Sequence, residues 1–213
     1  MYQPPHFREE RLEILHDLIG SHPLATLVTV ENGHPDANHI PMLVDRNRGR
    51  LGVLRAHVAR ANALARSPGG PALAIFQGAE SYVTPSWYAT KRETGKVVPT
   101  WNYVVVHAHG VITVIDDPAW IRDQIEALTR AQEDGRAEPW HVTDAPADFV
   151  ASQIKGIVGI EIEIATLEGK WKVSQNRPAA DRQGVATGLK ALGGEGLAMA
   201  ALVEEFGAAK ESP

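Results

Sequence analysis

Four side chains in the segment "LRAHVARAN" (54–62) are of types that hold anions: Arg55, His57, Arg60 and Asn62. The pattern predicts a short strand ending near Arg55, then a helix of two to three turns over "VARANALARS", stopped by "PGGP". His57 and Arg60 then fall at or near the first helical turn. Cations there oppose the helix macrodipole, which favours negative charge at that end. A bound phosphate reverses the penalty, because free helix N–H groups and two or three cations converge on one anion. The alternative is that both arginines extend into solvent and Asn62 caps something local.

Two further segments mix aromatic rings with hydroxyls. In "SYVTPSWYATK" (81–91), Thr84 and Pro85 break the strand, so Ser86, Trp87 and Tyr88 fall on a loop or turn. Lys91 follows Trp87 by four residues and shares its face if a helical turn forms. Flat rings with hydroxyl donors suit a planar, hydrogen-bonding ligand such as a flavin or a nucleotide base. They equally suit a subunit interface, where such residues are enriched. In "VPTWNY" (98–103), Thr100 and Asn102 share one strand face, and Trp101 and Tyr103 the other. A buried Asn102 without a partner costs roughly 1–3 kcal/mol, so it should bond backbone or ligand.

A third cluster, "KVSQNR", supplies Lys172, Ser174, Gln175, Asn176 and Arg177: many donors and no carboxylate. That set suits an anionic or carbonyl-rich ligand, or else forms a solvated loop. His107 and His109 lie two apart on a strand, but no third ligand stands at diagnostic spacing, so no metal site is expected. His39 in "NHIP" is expected to be a hydrogen-bonded core histidine. No nucleophile triad, Walker loop or dinucleotide fingerprint is convincing, and "GGEG" at 193–196 reads as a linker.

These groups need a scaffold. Apolar spacing from Phe7 to Ile19 predicts an amphipathic helix ending at Gly20. Leu24–Val30 and Ala37–Val44 read as a hairpin turned by "NGHP". "GRLGVLRAH" and "ALAIFQG" are further strands, and 98–115 forms one long strand or two with a bulge or bend at Gly110. Residues 117–134 and 146–155 should be helical, the second capped by Thr143 or Asp144. Over 158–164, Val158, Ile160, Ile162 and Ile164 alternate with Glu161 and Glu163, and Glu168-Gly169 should turn into "KWKV". There Trp171 and Val173 oppose Lys170 and Lys172. Helices follow at about 179–191 and 195–207. Six or seven strands joined by short turns imply a largely antiparallel sheet, a small barrel with helices at both ends of the chain.

The 213 residues and 44% apolar content allow one large domain with a real core. A net charge of −5 argues against bulk attraction to nucleic acid, and no helix-turn-helix with a basic second member is recognisable. The chain has no cysteine, which rules out disulfides and thiolate catalysis and is compatible with a reducing compartment. With neither an apolar leader nor 18 uninterrupted apolar residues, a soluble, cytoplasmic protein without membrane contact is expected.

Taken together, "MYQPPHF", "NHIP", "LRAHVARAN", "YVTPSWYATK", "VPTWNY" with "VHAHG", and "GKWKVSQNR" resemble the PaiB family, described as FMN-binding negative transcriptional regulators. The resemblance runs from Met1 to about Leu189. It implies a mainly β fold with peripheral helices: a split β-barrel of the flavin reductase and pyridoxamine-phosphate oxidase kind, over 1–190, with a helical tail over 191–213. It also implies a homodimer with FMN at the subunit interface. Arg55, His57, Arg60 and Asn62 match the segment expected to hold the phosphate and ribityl chain. Ser86, Trp87 and Lys91 match a second segment, and Thr100 and Trp101 would line the groove. Lys172, Ser174, Gln175, Asn176 and Arg177 would approach the cofactor from the same or the partner subunit. Three functions follow: a regulator acting directly or indirectly, an FMN-dependent oxidoreductase on a small substrate, or a haem- or nucleotide-binding module on the same barrel. Direct DNA contact has weak physical support.

Overall fold

Period-two alternation on two segments decides the central pairing. The computed structural model describes residues 1–31, 33–66 and 69–208. In it, β5 (Val53–Ala59) lies antiparallel to β8 (Ile157–Lys172), with Leu54 opposite Ile162, Ala56 opposite Ile160 and Val58 opposite Val158. All six side chains are buried. The positions between them turn to the other face, which sets Arg55 opposite Glu161 and His57 opposite Gly159.

The chain divides into two units. One holds Ile19–Phe76 and His107–Leu167. Its strands are β2 (Leu24–Glu31), β3 (His34–Pro41), β4 (Leu43–Asp45) and β5, with segments of β6 (Pro71–Val83), β7 (Thr100–Ile115) and β8. Their order is β3-β2-β6-β7-β8-β5-β4. Each of the pairs β2–β3, β2–β6, β4–β5 and β5–β8 is antiparallel. Helices α3 (Pro118–Glu133) and α4 (Ala147–Lys155) contribute Ile121, Val150 and Ile154, which join Val142 in a buried apolar cluster.

The other unit holds Met1–Leu18, Gln77–Val106 and the chain from Glu168 onward. Here β1 (Arg8–Glu9) pairs antiparallel with the end of β8, Arg8 opposite Lys170 and Glu9 opposite Gly169. Helix α1 (Leu12–Ser21) begins in this unit, which also carries α2 (Ala89–Thr94), α5 (Ala179–Leu192) and α6 (Glu195–Ala208). Helices α5 and α6 pack together, burying Val185, Ala186, Leu189, Met199, Ala200 and Val203. Lys190 and Glu204 bridge them at 2.6 Å. Among the described residues no helix is long and apolar enough to cross a membrane.

Several local expectations are corrected. No helix follows Arg55: β5 continues to Ala59, and only a 3-10 turn forms at Ala63–Arg66. Pairing with β8 outcompetes helix propensity, since Ala59 still has Ile157 opposite it. The N-terminal helix starts at Leu12 rather than Phe7, because the Glu9 carboxylate accepts from the Arg11 backbone N–H at 2.9 Å and so organises the chain before the helix. Glu168-Gly169 makes no turn; β8 runs straight through. Gly169 is there for close approach, since a Cβ would stand 2.2 Å from Leu15 and 2.9 Å from the Glu9 carbonyl. Gly110 lies within the continuous β7, where a Cβ would also meet a neighbouring strand, at Glu163 and Ile162. His39 is exposed on β3, the outermost strand, and is no core histidine. Asp144 accepts from the His141 backbone at 2.8 Å and closes its own 3-10 turn, while Pro146 stands at the N-cap of α4. In the two glycine-marked turns, Asn32 of "NGHP" and Pro68 of "PGGP" lie outside the described residues, as do 209–213 of the tail.

The Gly110 contact is testable. A Cβ there would fall 2.3 Å from the Glu163 carbonyl oxygen, a backbone atom that cannot swing aside. Gly110→Ala should lower unfolding free energy by about 1–3 kcal/mol in urea titrations, whereas Gly33→Ala, with nothing near its Cβ, should act only through its left-handed backbone, φ +81°.

Candidate functional site

The polar face of β5 carries the first group. Arg55 lies with its guanidinium 4.8 Å from the centre of the Trp120 ring, on α3. Gly159 makes room for that indole, since a Cβ there would meet Trp120 at 2.2 Å. The Trp120 Nε1 donates to Glu161 at 3.1 Å, and both Arg48 guanidinium nitrogens donate to the same carboxylate. Arg48 holds Glu161 below its ordinary pKa, with the Trp120 bond adding to the effect. The Arg55 Nε stands 3.9 Å from Glu161, too long for a hydrogen bond. That nitrogen and the Nδ1 of His57 are both buried and make no hydrogen bond within the chain. Burial pushes the His57 imidazole below its ordinary value.

Arg60 and Asn62 behave differently. Arg60 lies just past β5 and donates to Asp116 through both terminal nitrogens, at 2.7 and 2.6 Å, and to the carbonyl of Lys155. The pair raises the arginine pKa and lowers that of the carboxyl group. Asn62 donates to Asn38 at 3.0 Å and accepts from the Leu64 backbone at 2.9 Å. So the expected convergence of cations on a helix N-terminus is replaced by two strand residues with free nitrogens and a cross-braced turn beside them.

In the other unit, Pro85–Trp87 forms a 3-10 turn after Thr84, as the proline predicts, and α2 follows. The Lys91 ammonium donates to the Ser86 hydroxyl at 3.0 Å. Trp87 has a packing role that its sequence does not disclose. Its indole presses on Gly188 of α5, where a Cβ would meet the ring at 2.3 Å, and its carbonyl on Gly184. Below it, buried Asp181 accepts from the Thr90 backbone and hydroxyl, both at 2.9 Å.

A second set surrounds a cavity of about 130 Å3 lined by Phe7, Thr100, Asn102, Lys172, Ser174, Asn176 and Arg177. Lys172 donates to the Thr100 hydroxyl and, at 2.6 Å, to the Trp101 carbonyl. Burial lowers its pKa, and neighbouring Lys170 and Arg177 push the same way. Asn102 is buried as predicted, but its partner is neither backbone nor ligand: it exchanges two hydrogen bonds with the Ser174 hydroxyl, at 3.0 and 3.1 Å. Ser174 is the one non-glycine residue with positive φ, 65°, among those described. Gln175 is spent on the backbone, accepting from Val173 and donating to the Trp171 carbonyl. Trp101 is 52% exposed and meets Tyr82 edge to face, with ring centres 6.0 Å apart.

Trp120, Glu161 and Lys170 were missed as site residues. Lys170 was legible, two positions before Lys172 on one strand face. Trp120 was not, since only tertiary packing brings α3 over β5.

Comparison with solved structures places the fold. A FAD- and heme-binding protein from Mycobacterium smegmatis superposes with a TM-score of 0.58 at 21% identity, over 78% of this chain and 73% of that one. The flavocytochrome Anf3 from Azotobacter vinelandii gives 0.57 at 15%, over 78% and 69%. The fold class is therefore the antiparallel split β-barrel with added helices. A family model described as "Putative FMN-binding domain" matches residues 1–166, and the chain belongs to that family. A Bacillus subtilis relative, protease synthase and sporulation protein PAI 2, is 28% identical over 87% of each chain, in agreement with the PaiB resemblance. An uncharacterized protein of Emericella nidulans is 35% identical over 99% of each, so the family extends beyond bacteria. Flavin is the cofactor that this membership assigns.

His57 makes folding pH-dependent. Above the ordinary imidazole value of 6.5 both states are neutral there and no stability is lost. As pH falls from that value through the depressed folded one, the unfolded chain takes up a proton that the folded chain refuses. The melting temperature of flavin-free protein should therefore fall on acidification, and His57→Gln should flatten that part of the profile, followed by calorimetry.

Proposed function

We propose that this protein is an FMN-binding regulator of the PaiB type and that β5 supplies its grip on the cofactor phosphate. One observation carries the reading: Arg55 Nε and His57 Nδ1 stand two residues apart on one strand face, buried and without hydrogen bonds. A buried nitrogen left unpaired costs about 1–3 kcal/mol. Phosphate oxygens relieve both. The residues present thus fit a phosphorylated cofactor.

Each neighbour has a part in that fit. Trp120 fixes the plane of the Arg55 guanidinium, and Gln124 donates to the Arg55 carbonyl at 3.2 Å from beneath. Glu161 would repel an anion, but Arg48 already matches its charge. Neutral His57 gains a proton as the anion arrives, since a nearby negative charge raises an imidazole pKa. Arg60 and Asn62 act as positioning residues that brace the turn after the strand. Ser86 and Lys91, which the family resemblance also implies for the cofactor, belong to the other unit and bond to each other. When bound, FMN supplies hydride and electron transfer of its own.

The cofactor is proposed to lie at a homodimer interface, with exposed Tyr82 and Trp101 on the covered surface. The regulatory role that the PaiB resemblance implies is proposed to act through the flavin rather than through duplex contact. The chain carries a net charge of −5, and α6, the second helix of the α5–α6 pair, holds Glu195, Glu204 and Glu205 and no basic residue.

Binding of FMN and riboflavin to desalted protein separates these claims, followed by the visible spectrum and by fluorescence quenching. Arg55→Met and His57→Gln should each weaken FMN about tenfold or more while leaving riboflavin, which lacks the phosphate, unchanged. Equal losses for both ligands would remove the phosphate from β5, and a Soret band in place of the flavin doublet would replace FMN with haem.

A further inference from the structure

The end of β8 and the turn after it hold three cations, Lys170, Lys172 and Arg177, that form no ion pair among the described residues. Lys170 is buried, 8% exposed, with its ammonium 5.3 Å from the Tyr103 ring centre and 5.6 Å from that of Tyr2. Lys172 also faces Tyr103, at 5.9 Å, and the Arg177 guanidinium lies 4.9 Å over Tyr88. Aromatic faces stabilise a cation by about 0.5–2 kcal/mol each but carry no net charge. None of the three is drawn into an ion pair, and the buried Asp181 carboxylate, which acts on Tyr88 together with Arg177, is bonded to Thr90.

We propose that the cavity lined by Phe7, Thr100, Asn102, Lys172, Ser174 and Arg177 is a binding site for a small oxyanion, a carboxylate or phosphate group that completes this charge cluster. Its volume, about 130 Å3, is smaller than an ordinary pocket for a drug-sized ligand and ample for one such group. Two of the three N–H bonds of the Lys172 ammonium are already committed, to Thr100 and to the Trp101 carbonyl, so the ammonium is held in place with one donor left over. The Asn102–Ser174 pair is buried and mutually satisfied. It keeps Ser174 in the left-handed backbone region, where a non-glycine residue persists only when its surroundings hold it. That turn carries Asn176 and Arg177 to the cavity wall. The depressed Lys172 pKa has the same origin as the site: burial beside Lys170 and Arg177.

The oxyanion has two sources, the flavin's own phosphate or a separate small acid, and both are readable in one experiment. Flavin-free full-length protein is titrated with inorganic phosphate and with acetate by calorimetry at low chloride. Saturable binding of at least one, weakened tenfold or more by Lys172→Met and by Arg177→Gln, is expected. Displacement by FMN but not riboflavin identifies the flavin phosphate as occupant and moves its grip from β5 to this cavity; displacement by neither identifies a separate acid and leaves the grip on β5. Should Lys172→Met fail to fold, the Nζ resonance of Lys172 in the wild-type protein decides, and the bound anion should raise its titration midpoint. No saturable binding, an unmoved midpoint, or affinity lost in Arg55→Met and kept in Lys172→Met and Arg177→Gln overturns the assignment. The last result would leave the phosphate grip on β5 standing.

Discussion

The register of β5 against β8 is the constraint on which the first group of site residues depends. Because side chains alternate strictly, the pairing that buries Leu54, Ala56 and Val58 against Ile162, Ile160 and Val158 also forces Arg55 and His57 to the opposite face. A slip by one residue would exchange the two sets. The hydrophobic core therefore fixes the polar face, and α3 needs only to cover it. Trp120 does so in the notch left by Gly159, with the Arg55 guanidinium against its ring.

The two charge clusters are built on opposite logic. Around Glu161 the carboxylate is matched by Arg48, which donates to it twice, while Arg55 stands near but beyond bonding distance. Beside β5, Arg60 and Asp116 cancel each other in the open. Around Lys172 the compensation comes from tyrosine rings and neutral oxygens, which steady a cation without neutralising it. Ion pairs consume the charge they hold. Aromatic faces and carbonyls leave it available.

Much of the scaffold was legible. The alternation over 158–164, the helices over 117–134, 179–191 and 195–207, and the break at Thr84-Pro85 all follow from short-range pattern, and all are present. The errors cluster where pairing overrides local preference. "VARANALARS" has helix-forming alanines and leucines, yet its first residues complete a strand because β8 offers them partners. Gly169 looks like a turn, since a sequence shows a missing side chain but not the helix and strand that fill its place. At the candidate sites the residue types were legible and their partners were not. Arg60 carries the same charge as Arg55, and only the fold shows that Asp116 has claimed it.

The seating of Lys170 between Tyr2 and Tyr103 bears on how the molecule meets its surroundings. Attraction between an ammonium and a ring face acts over a few ångströms, inside the screening length of physiological salt. Raising the ionic strength should therefore leave this part of the architecture intact while chloride crowds out whatever anion the neighbouring recess attracts. The cell's salt would then tune occupancy, not shape.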